Sequence, residues 1–463
     1  MATPTHEEAL RRGVVAEVSV DTKTTAAKVE FDLAKHFSGA PPSKVRITLA
    51  RNIRGSFFGD TWAAILVGTA ARRSSQFNLV DWSSYVGSPS SYEEYVCGNL
   101  PAVVGVSLGA KFTSIDGKLI SLTKEKVEDA ICDRSLPLLE PPPEDDPFSD
   151  LLPSQAATAS QTKPPSNDAG IPVLANIRLR GLLRTARGDA STVCEFDPKH
   201  SLSDLFSDGK YPLHSAQEQS LFRSRIVQFR QELEFGTRER GIKAANRGAV
   251  GRLTDFLMEL HENSHDYGRY DSPTGDEGDR PGLSGIRFLR LRKYIGTKTN
   301  LLSRASDLPP LQQYLDKVLI GKNSIVIEAG VSDFGLGIVN YFLSSSAGRF
   351  YKNHSSRELL SLVFCGRLTS KTGDPAAGAG IHKALASVRR MAGFVSLRTA
   401  DHWLQRGFHP GDEDHGLELS EMLPGQALGQ VAGTHWLFLY HQNIDSDAPS
   451  GRTQRETHNL DAA

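Results

Sequence analysis

Residues 324–338 read Ser-Ile-Val-Ile-Glu-Ala-Gly-Val-Ser-Asp-Phe-Gly-Leu-Gly-Ile, an apolar run that leads directly into a glycine-rich turn. The run predicts a buried strand over 324–331, and the turn begins at Asp333. Gly335 and Gly337 let the backbone come close to a flat ligand, while the carboxylate of Asp333 could accept a hydrogen bond from an exocyclic amine. These three residues are therefore candidate binding residues.

A second group of candidates lies on a predicted helix that precedes this strand in the chain. Residues 259–266 of that helix read Glu-Leu-His-Glu-Asn-Ser-His-Asp. A helix advances about 100° per residue, so Glu259, Asn263 and Asp266 share one face. Mg²⁺ prefers hard oxygen ligands, and a carboxylate can orient a nucleophilic water, so this face suits a site that handles a metal-bound phosphate.

Two further glycine motifs follow. Gly378 and Gly380 open a predicted helix, where free backbone N–H groups and the helix dipole favour phosphate. Gly433 and Thr434 stand at the head of the last predicted strand. Strands that alternate with helices in this way indicate an α/β fold of the α+β sandwich type. The remaining elements predicted here are a helix over 381–391 and strands over 394–399 and 434–440.

The order and spacing of these four motifs resemble the GHKL ATPases, whose Bergerat nucleotide-binding fold occurs in gyrase-type topoisomerases, heat-shock chaperones, histidine kinases, mismatch-repair ATPases and anti-sigma serine kinases. The match covers about residues 248–440. The resemblance implies that ATP and Mg²⁺ bind, with Glu259 as the general base and Asn263 as the magnesium ligand.

The resemblance also implies roles for the glycine motifs. Asp333 would accept the adenine amine with support from Thr434, and Gly335 and Gly337 would form the loop beside the base. The residues expected near the phosphates are Gly378 and Gly380, Asp266 on the helix, and Lys371 and Arg367 in a flexible lid.

The family resemblance and the local composition together predict how the chain divides into domains and linkers. Proline-rich, polar sequence cannot bury enough apolar area to offset the entropy of ordering it, and it predicts a linker. The predicted divisions are a small α/β domain over 1–135, a Pro/Ser-rich linker over 136–172, a helical connector over 173–245, the ATP-binding domain over 246–442 with an insertion near 269–322, and a disordered tail over 443–463.

The small N-terminal domain contains a strand, helix, strand crossover in which Asp60 is predicted to cap the helix. This stretch, 44–82, weakly resembles the STAS domain of anti-sigma-factor antagonists, although Gly59, Asp60 and Thr61 stand where those proteins often carry a phosphorylated serine. The elements predicted are strands over 14–20, 44–50, 76–82, 103–108 and 119–123 and helices over 60–73 and 124–132.

The net charge is −1, so no overall excess of either sign indicates nucleic acid or an anionic membrane as a partner. Two segments, 221–252 and 280–298, are locally basic, for which a solvated helix face is the favoured interpretation and a nucleic-acid patch the alternative. The four cysteines form no C-x-x-C pair, no long apolar run indicates a membrane span, and the N-terminus lacks the apolar core of a secretory signal. We therefore expect a cytoplasmic protein.

The function expected is that of a slow ATPase, a hydrolase that acts as a nucleotide-dependent switch for a protein partner contacting the N-terminal domain. Glu259 could equally activate a serine hydroxyl, so an anti-sigma-type serine/threonine kinase is an alternative, and a binding module without turnover is another. No H-[ED]-x-x-x-P segment of a sensor kinase is present. The predicted helix over 215–234 could pair two copies of the chain.

The predicted helix also contains a competing motif. His261, Glu262 and His265 form H-E-x-x-H, which with Gly268 and Asp271 has the spacing of some zinc proteases. Zinc-protease helices usually have uncharged residues beside the histidines, whereas here Glu259 and Asp266 flank them. A zinc protease is therefore the remote alternative, and it leaves the Asp333, Gly378 and Thr434 motifs unexplained.

Overall fold

The structure of the chain is a computed structural model. It describes residues 15–50, 53, 56–74, 76–81, 99–113, 119–120, 126–127, 180–184, 190–196, 252–253, 256–257, 259–260, 263–264, 268, 286–320, 323–345, 347–365, 379–410, 412 and 417–444.

The N-terminal unit, residues 15–127, contains a five-stranded sheet, which we call the small sheet. Its first four strands are parallel, in the order β1-β2-β3-β4, and β5 is antiparallel to β4. The predicted strand, helix, strand crossover is confirmed as β2, α2 and β3. The elements are β1 (Val15–Val20), α1 (Ala26–Phe37), β2 (Lys44–Leu49), α2 (Gly59–Arg73), β3 (Gln76–Asp81), α3 (Leu100–Ser107), β4 (Lys111–Thr113) and β5 (Leu119–Ile120).

The rest of the described chain is built on an eight-stranded sheet, the large sheet, in the order β12-β11-β10-β13-β9-β8-β7-β6. Every pair of neighbours in it is antiparallel. The strands are β6 (Arg180–Arg184), β7 (Ala190–Phe196), β8 (Ile286–Gly296), β9 (Asn323–Asp333), β10 (Phe394–Ala400), β11 (His402–Gly407), β12 (Ser420–Glu421) and β13 (Val431–Ile444). Strands β9, β10 and β13 confirm the three predicted there, and the mixed α/β class is confirmed.

Helices cover one face of the large sheet, which we call the front face. The described residues between 252 and 264 are helical, and their apolar side chains pack with α6, α7, α8 and the front-face residues of the strands in one hydrophobic cluster. Helix α8 confirms the one predicted over 381–391. The front-face elements are α6 (Ile338–Ser344), α7 (Ser356–Phe364), α8 (Ala379–Arg390) and a 3₁₀ turn (Ala347–Tyr351). Two further helices, α4 (Lys298–Ser303) and α5 (Pro309–Val318), pack instead in the hydrophobic cluster of the opposite face.

The opposite, rear face of the large sheet packs against the N-terminal unit. Helix α2 is buried around its whole circumference over 61–70, and one hydrophobic cluster contains core residues of the small sheet, of α2 and of the rear face. The rings of Trp62 on α2 and Trp403 on β11 meet edge to face with their centroids 4.5 Å apart. A helix that is apolar on every side belongs in a core, and α2 lies between the two sheets. The described chain therefore forms four layers: sheet, helices, sheet, helices.

Two predictions about local structure are wrong. The apolar run 103–108, predicted as a strand, belongs to helix α3, which begins where the side chain of Asn99 accepts a hydrogen bond from the N–H of Ala102 and Pro101 occupies the first turn. A short apolar run does not distinguish a buried strand from a buried helix, so the cap and the proline decide. Asp60 does not cap α2: the cap position is Phe58, in the left-handed region with φ 59°.

Three predictions about longer segments also need correction. The connector predicted as helical over 173–245 contributes strands β6 and β7. The insertion predicted near 269–322 contains β8, an interior strand of the large sheet, and so is not an appendage to the fold. The described part of the basic segment 280–298 is this strand together with the first residue of α4, and it is not a solvated helix face. Its arginines Arg287, Arg290 and Arg292 are buried.

The remaining predictions of organisation are tested little or not at all. The linker 136–172 lies outside the described residues, as does the predicted tail except for 443–444, which end β13. The predicted strand 119–123 is described only as β5, and of the helix 124–132 only residues 126–127 are described as helical. No helix in the described part of the chain is both long enough and apolar enough for a bilayer crossing.

Candidate functional site

Asp333 ends strand β9 on the front face of the large sheet, and it is buried. Its Oδ1 accepts hydrogen bonds from the N–H of Gly335, at 3.1 Å, and from the N–H of Thr434, at 3.2 Å. Two backbone donors from separate strand ends therefore hold one carboxylate in a defined orientation. The structure brings Asp333, Gly335 and Thr434 together.

The N–H of Thr434 reaches Asp333 because β13 bulges at Ala432 and Gly433. The pairing of β10 with β13 shifts register there, since Thr399 pairs with Thr434 and Ala400 with Val431. Gly433 has φ +83°, and a Cβ atom on it would lie 2.0 Å from the carbonyl oxygen of Asp333. Only glycine fits this position, because both the conformation and the close approach exclude a side chain.

Thr399 supports this bulge, and the sequence carries no signal for its role. Its hydroxyl donates to the carbonyl oxygen of Gly433 at 3.0 Å, and it is fully buried. Gly337, at φ +78°, passes so close that a Cβ on it would lie 2.8 Å from the same hydroxyl oxygen. The glycine loop after Asp333 and the bulge in β13 therefore pack on one threonine.

A second cluster forms at the start of helix α8. A Cβ on Gly380 would lie 2.7 Å from Oε2 of Glu259 and 3.7 Å from Nδ2 of Asn263. The structure thus brings the helix-opening glycine into contact with the acid and amide predicted to share a helix face. The N-terminal turn of a helix favours negative charge, so the Glu259 carboxylate lies where an anion is stabilised.

The Asn263 amide is half-buried, and its Nδ2 atom is inaccessible to solvent and has no hydrogen-bond partner among the described residues. Leaving a buried polar group without a partner costs about 1–3 kcal/mol. A bound ligand or metal-linked group beside Gly380 would remove that cost. The oxygen and nitrogen of an amide exchange places by rotation of the side chain, so the group can present either atom.

Gly268 joins the two clusters, and its place in the site was not predicted. A Cβ on Gly268 would lie 2.3 Å from Cγ of Asp333. Gly268, which follows Glu259 and Asn263 in the chain, therefore lies directly against the Asp333 carboxylate. A glycine shortly after the predicted helix is the one signal that could have indicated this contact.

Several predicted site residues lie outside the described residues: Asp266, Lys371, Arg367 and Gly378. The histidines of the H-E-x-x-H motif, His261 and His265, also lie outside them, so the zinc alternative stays untested. Within the described residues, no group of three or more His, Cys, Asp or Glu side chains is placed to hold a metal ion.

A neutral histidine lies directly behind the site. His435 follows Thr434 on β13 and is fully buried, and its Nε2 lies 2.8 Å from the carbonyl oxygen of Ala432. Burial lowers the pKa of His435 to about 3, so the ring is neutral at pH 7 and donates through Nε2. The carbonyl of Ala432 is thereby fixed on the rear side of the bulge.

The site combines a buried, rigidly held acceptor beside a glycine loop with an acid and an amide at a helix start. The first cluster can accept a hydrogen bond from a flat ligand, and the second can hold an anionic group and position a water molecule. Comparisons with protein-family models, with curated proteins and with solved structures found no match.

Proposed function

We propose that the chain binds Mg²⁺-ATP as a GHKL-type protein with a Bergerat-type nucleotide site, hydrolyses it slowly, and uses the nucleotide to switch its contact with a protein partner. The contact of Gly380 with Glu259 and Asn263 supports this proposal most directly. Three residues predicted from two distant motifs to act on the same phosphates lie within side-chain reach of one another.

The two clusters divide the work of binding. Asp333 accepts a hydrogen bond from the exocyclic amine of the base, with its carboxylate oriented by the N–H groups of Gly335 and Thr434. The first turn of α8 binds phosphate oxygens through backbone N–H groups. Asn263 supplies a hard oxygen ligand to Mg²⁺, which neutralises charge on the phosphates.

Glu259 takes the catalytic role in this proposal. Its carboxylate lies beside the first turn of α8, which is where the phosphates are expected to bind. A carboxylate there can accept a proton from the attacking oxygen, whether that oxygen belongs to water or to a serine of another protein. The same geometry therefore serves an ATPase or a protein kinase.

Calorimetry with adenine nucleotides tests the binding step. We expect wild-type protein to bind Mg²⁺-ATP. We expect Asp333→Asn to weaken binding at least about tenfold, because the amine of the base then loses its charged hydrogen-bond acceptor. Asp316→Asn, on the exposed surface of α5, is the matched control and should bind as wild type does. No heat with millimolar ATP, or unchanged affinity in Asp333→Asn, would contradict the proposal.

Phosphate release tests the chemical step. Glu259→Ala should lower the rate by about 10² or more while nucleotide still binds, since general-base catalysis contributes at least that much.

Asn263→Ala should weaken binding more with Mg²⁺ than without it. Transfer of labelled γ-phosphate from ATP to a second protein would favour the protein-kinase alternative. Nucleotide binding with neither phosphate release nor phosphate transfer would favour a binding module without turnover. Zinc in the purified protein that is lost in His261→Ala would favour the protease.

A further inference from the structure

Helix α2 of the N-terminal unit lies directly behind the turn that carries Asp333. A Cβ placed on Gly68 would lie 2.1 Å from Cε1 of Phe334 and 2.3 Å from its Cδ1. The ring of the residue next to Asp333 therefore rests on the backbone of α2. Phe334 is buried, and its ring centroid is 5.4 Å from that of His435.

The neighbouring residue on α2 contacts the other half of the site. The hydroxyl oxygen of Thr69 accepts a hydrogen bond from the N–H of Ala432 at 3.2 Å. Ala432 begins the bulge that delivers the N–H of Thr434 to Asp333. Two consecutive residues of one helix thus support the two chain segments that orient the Asp333 carboxylate.

Among the described residues, three side chains hydrogen-bond to this bulge, and one of the three comes from the N-terminal unit. His435 binds the carbonyl oxygen of Ala432, Thr399 binds that of Gly433, and Thr69 binds the N–H of Ala432. His435 and Thr399 belong to the large sheet itself. Thr69 is separated from Ala432 by most of the chain, so its hydrogen bond exists only while α2 is docked on the rear face.

We infer that Thr69 and Gly68 are positioning residues for the candidate site, so that the N-terminal unit sets the orientation of the Asp333 carboxylate. For its ligand, this inference rests on the proposed function, because the proposed role of Asp333 is to recognise the amine of adenine. The N-terminal unit then controls the preference for adenine over guanine, which carries a carbonyl oxygen at that position. The positioning of the Asp333 carboxylate by Thr69 and Gly68 does not depend on which ligand binds.

Thr69→Val tests the inference, because valine keeps the shape of threonine and removes the hydroxyl. Thr61→Val is the matched control: Thr61 lies on the same helix, is equally buried, and its hydroxyl has no hydrogen-bond partner among the described residues. The methyl group of Thr61 faces the middle of β9, where it lies 3.9 Å from the position that a Cβ on Gly330 would occupy. Thr69→Ser restores the hydroxyl and should restore wild-type behaviour.

Hydrogen exchange of the nucleotide-free protein is the first readout. We expect Thr69→Val to speed exchange of the amides of Gly335, Ala432 and Thr434 about fivefold, the effect of losing one ordinary hydrogen bond. Thr61→Val and Thr69→Ser should exchange as wild type does. Gly68→Ala, which displaces the Phe334 ring, should give the same pattern more strongly.

The ratio of ATP to GTP affinity is the second readout. In Thr69→Val it should fall about fivefold, with the Mg²⁺ dependence of binding unchanged, because the phosphate cluster at Gly380 is not touched. If Thr69→Val exchanges as Thr61→Val does, the inference is overturned even though wild type binds ATP. If exchange responds but wild type binds no nucleotide, the positioning role stands and the proposed function fails.

Discussion

His435 shows what burial does to a single ionisable residue in this protein. Desolvation lowers its pKa to about 3, and the nearby charge of Arg398 acts in the same direction, against the opposing effect of the Ala432 carbonyl. His441, on the same strand, has a pKa of about 4, chiefly through burial. Both rings must stay neutral in the folded protein, whereas in the unfolded chain each would titrate near its ordinary value of about 6.5.

The pH dependence of stability follows from these depressed pKa values. Below about pH 6.5 the unfolded chain binds protons that the folded chain does not, so acid favours unfolding. Above that pH, the contribution of each neutral histidine to stability is fully present. As the pH falls from there towards the pKa that the histidine has in the folded protein, the free energy of unfolding decreases by about 1.4 kcal/mol per pH unit for each histidine.

We therefore expect the free energy of unfolding, measured in urea, to fall between pH 7 and pH 5, and to fall less in His435→Gln. Glutamine keeps a donor for the Ala432 carbonyl and does not titrate. His354→Gln, at an exposed position, is the control and should keep the wild-type pH dependence. Equal pH dependence in His435→Gln and wild type would show that His435 does not stay neutral on folding.

Among elements, helix α2 shows how far a helix start can depend on distant residues. Its cap residue, Phe58, provides no side-chain cap, and the Phe58 N–H instead donates to Oε2 of Glu328 on β9 at 2.6 Å. The hydroxyl of Tyr294 donates to the same oxygen at 2.8 Å. Burial raises the pKa of Glu328, while the charge of Arg292 and the Phe58 hydrogen bond act against that rise.

Asp60, in the first turn of α2, joins the helix to strand β8. Its Oδ2 contacts the guanidinium groups of Arg290 and Arg292, whose side chains are 2% and 6% exposed. A carboxylate near a helix N-terminus is also favoured by the helix dipole. These two contacts explain the burial of Arg290 and Arg292 on β8 and the acidic residue at the helix start.

Asp60→Asn should destabilise the protein by about 3 kcal/mol, because it removes the carboxylate that two buried guanidinium groups contact. The measurement is chemical unfolding in urea. Asp316→Asn breaks the exposed Lys298–Asp316 pair, with side chains 38% and 63% exposed, and should cost less than about 1 kcal/mol. Similar losses of stability in Asp60→Asn and Asp316→Asn would contradict the burial of the contacts between Asp60 and the two arginines.

At the scale of the whole molecule, the N-terminal unit and the large sheet share one hydrophobic core. The rear face also carries charges that the unit neutralises: the guanidinium of Arg398 on β10 binds both carboxylate oxygens of Glu30 on α1, at 2.6 and 3.2 Å. Their side chains are 0% and 3% exposed. Removing the unit would therefore expose apolar surface and buried charge together.

A fragment of residues 136–463 should consequently aggregate when expressed alone, as judged by size-exclusion chromatography. An exposed apolar sheet face of this kind is an association liability. Co-expression with residues 1–135 as a separate chain should yield a soluble complex of the two pieces, because the interface needs no covalent link. A monodisperse, folded 136–463 fragment would contradict a shared core.

The candidate site was predictable where its requirements are local. Asp333 and the glycines around it stand in a pattern of strand and turn that the sequence displays, and Glu259 and Asn263 are one helical turn apart. Thr399, Thr69 and Gly68 were not predictable, because an ordinary threonine or glycine in a strand or helix carries no sign of the distant backbone that it contacts.

By itself, the sequence determined the mixed α/β class, strands β1, β2, β3, β9, β10 and β13, helices α2 and α8, and the position of Asp333 between a strand and a turn, since side-chain periodicity and glycine turns are properties of neighbouring residues. Only the tertiary structure decided that α3 is a helix, that β6, β7 and β8 extend the large sheet, and that α2 is buried between two sheets. Those outcomes depend on which surfaces exclude water together and which buried charges find partners, and both are settled between residues far apart in the chain.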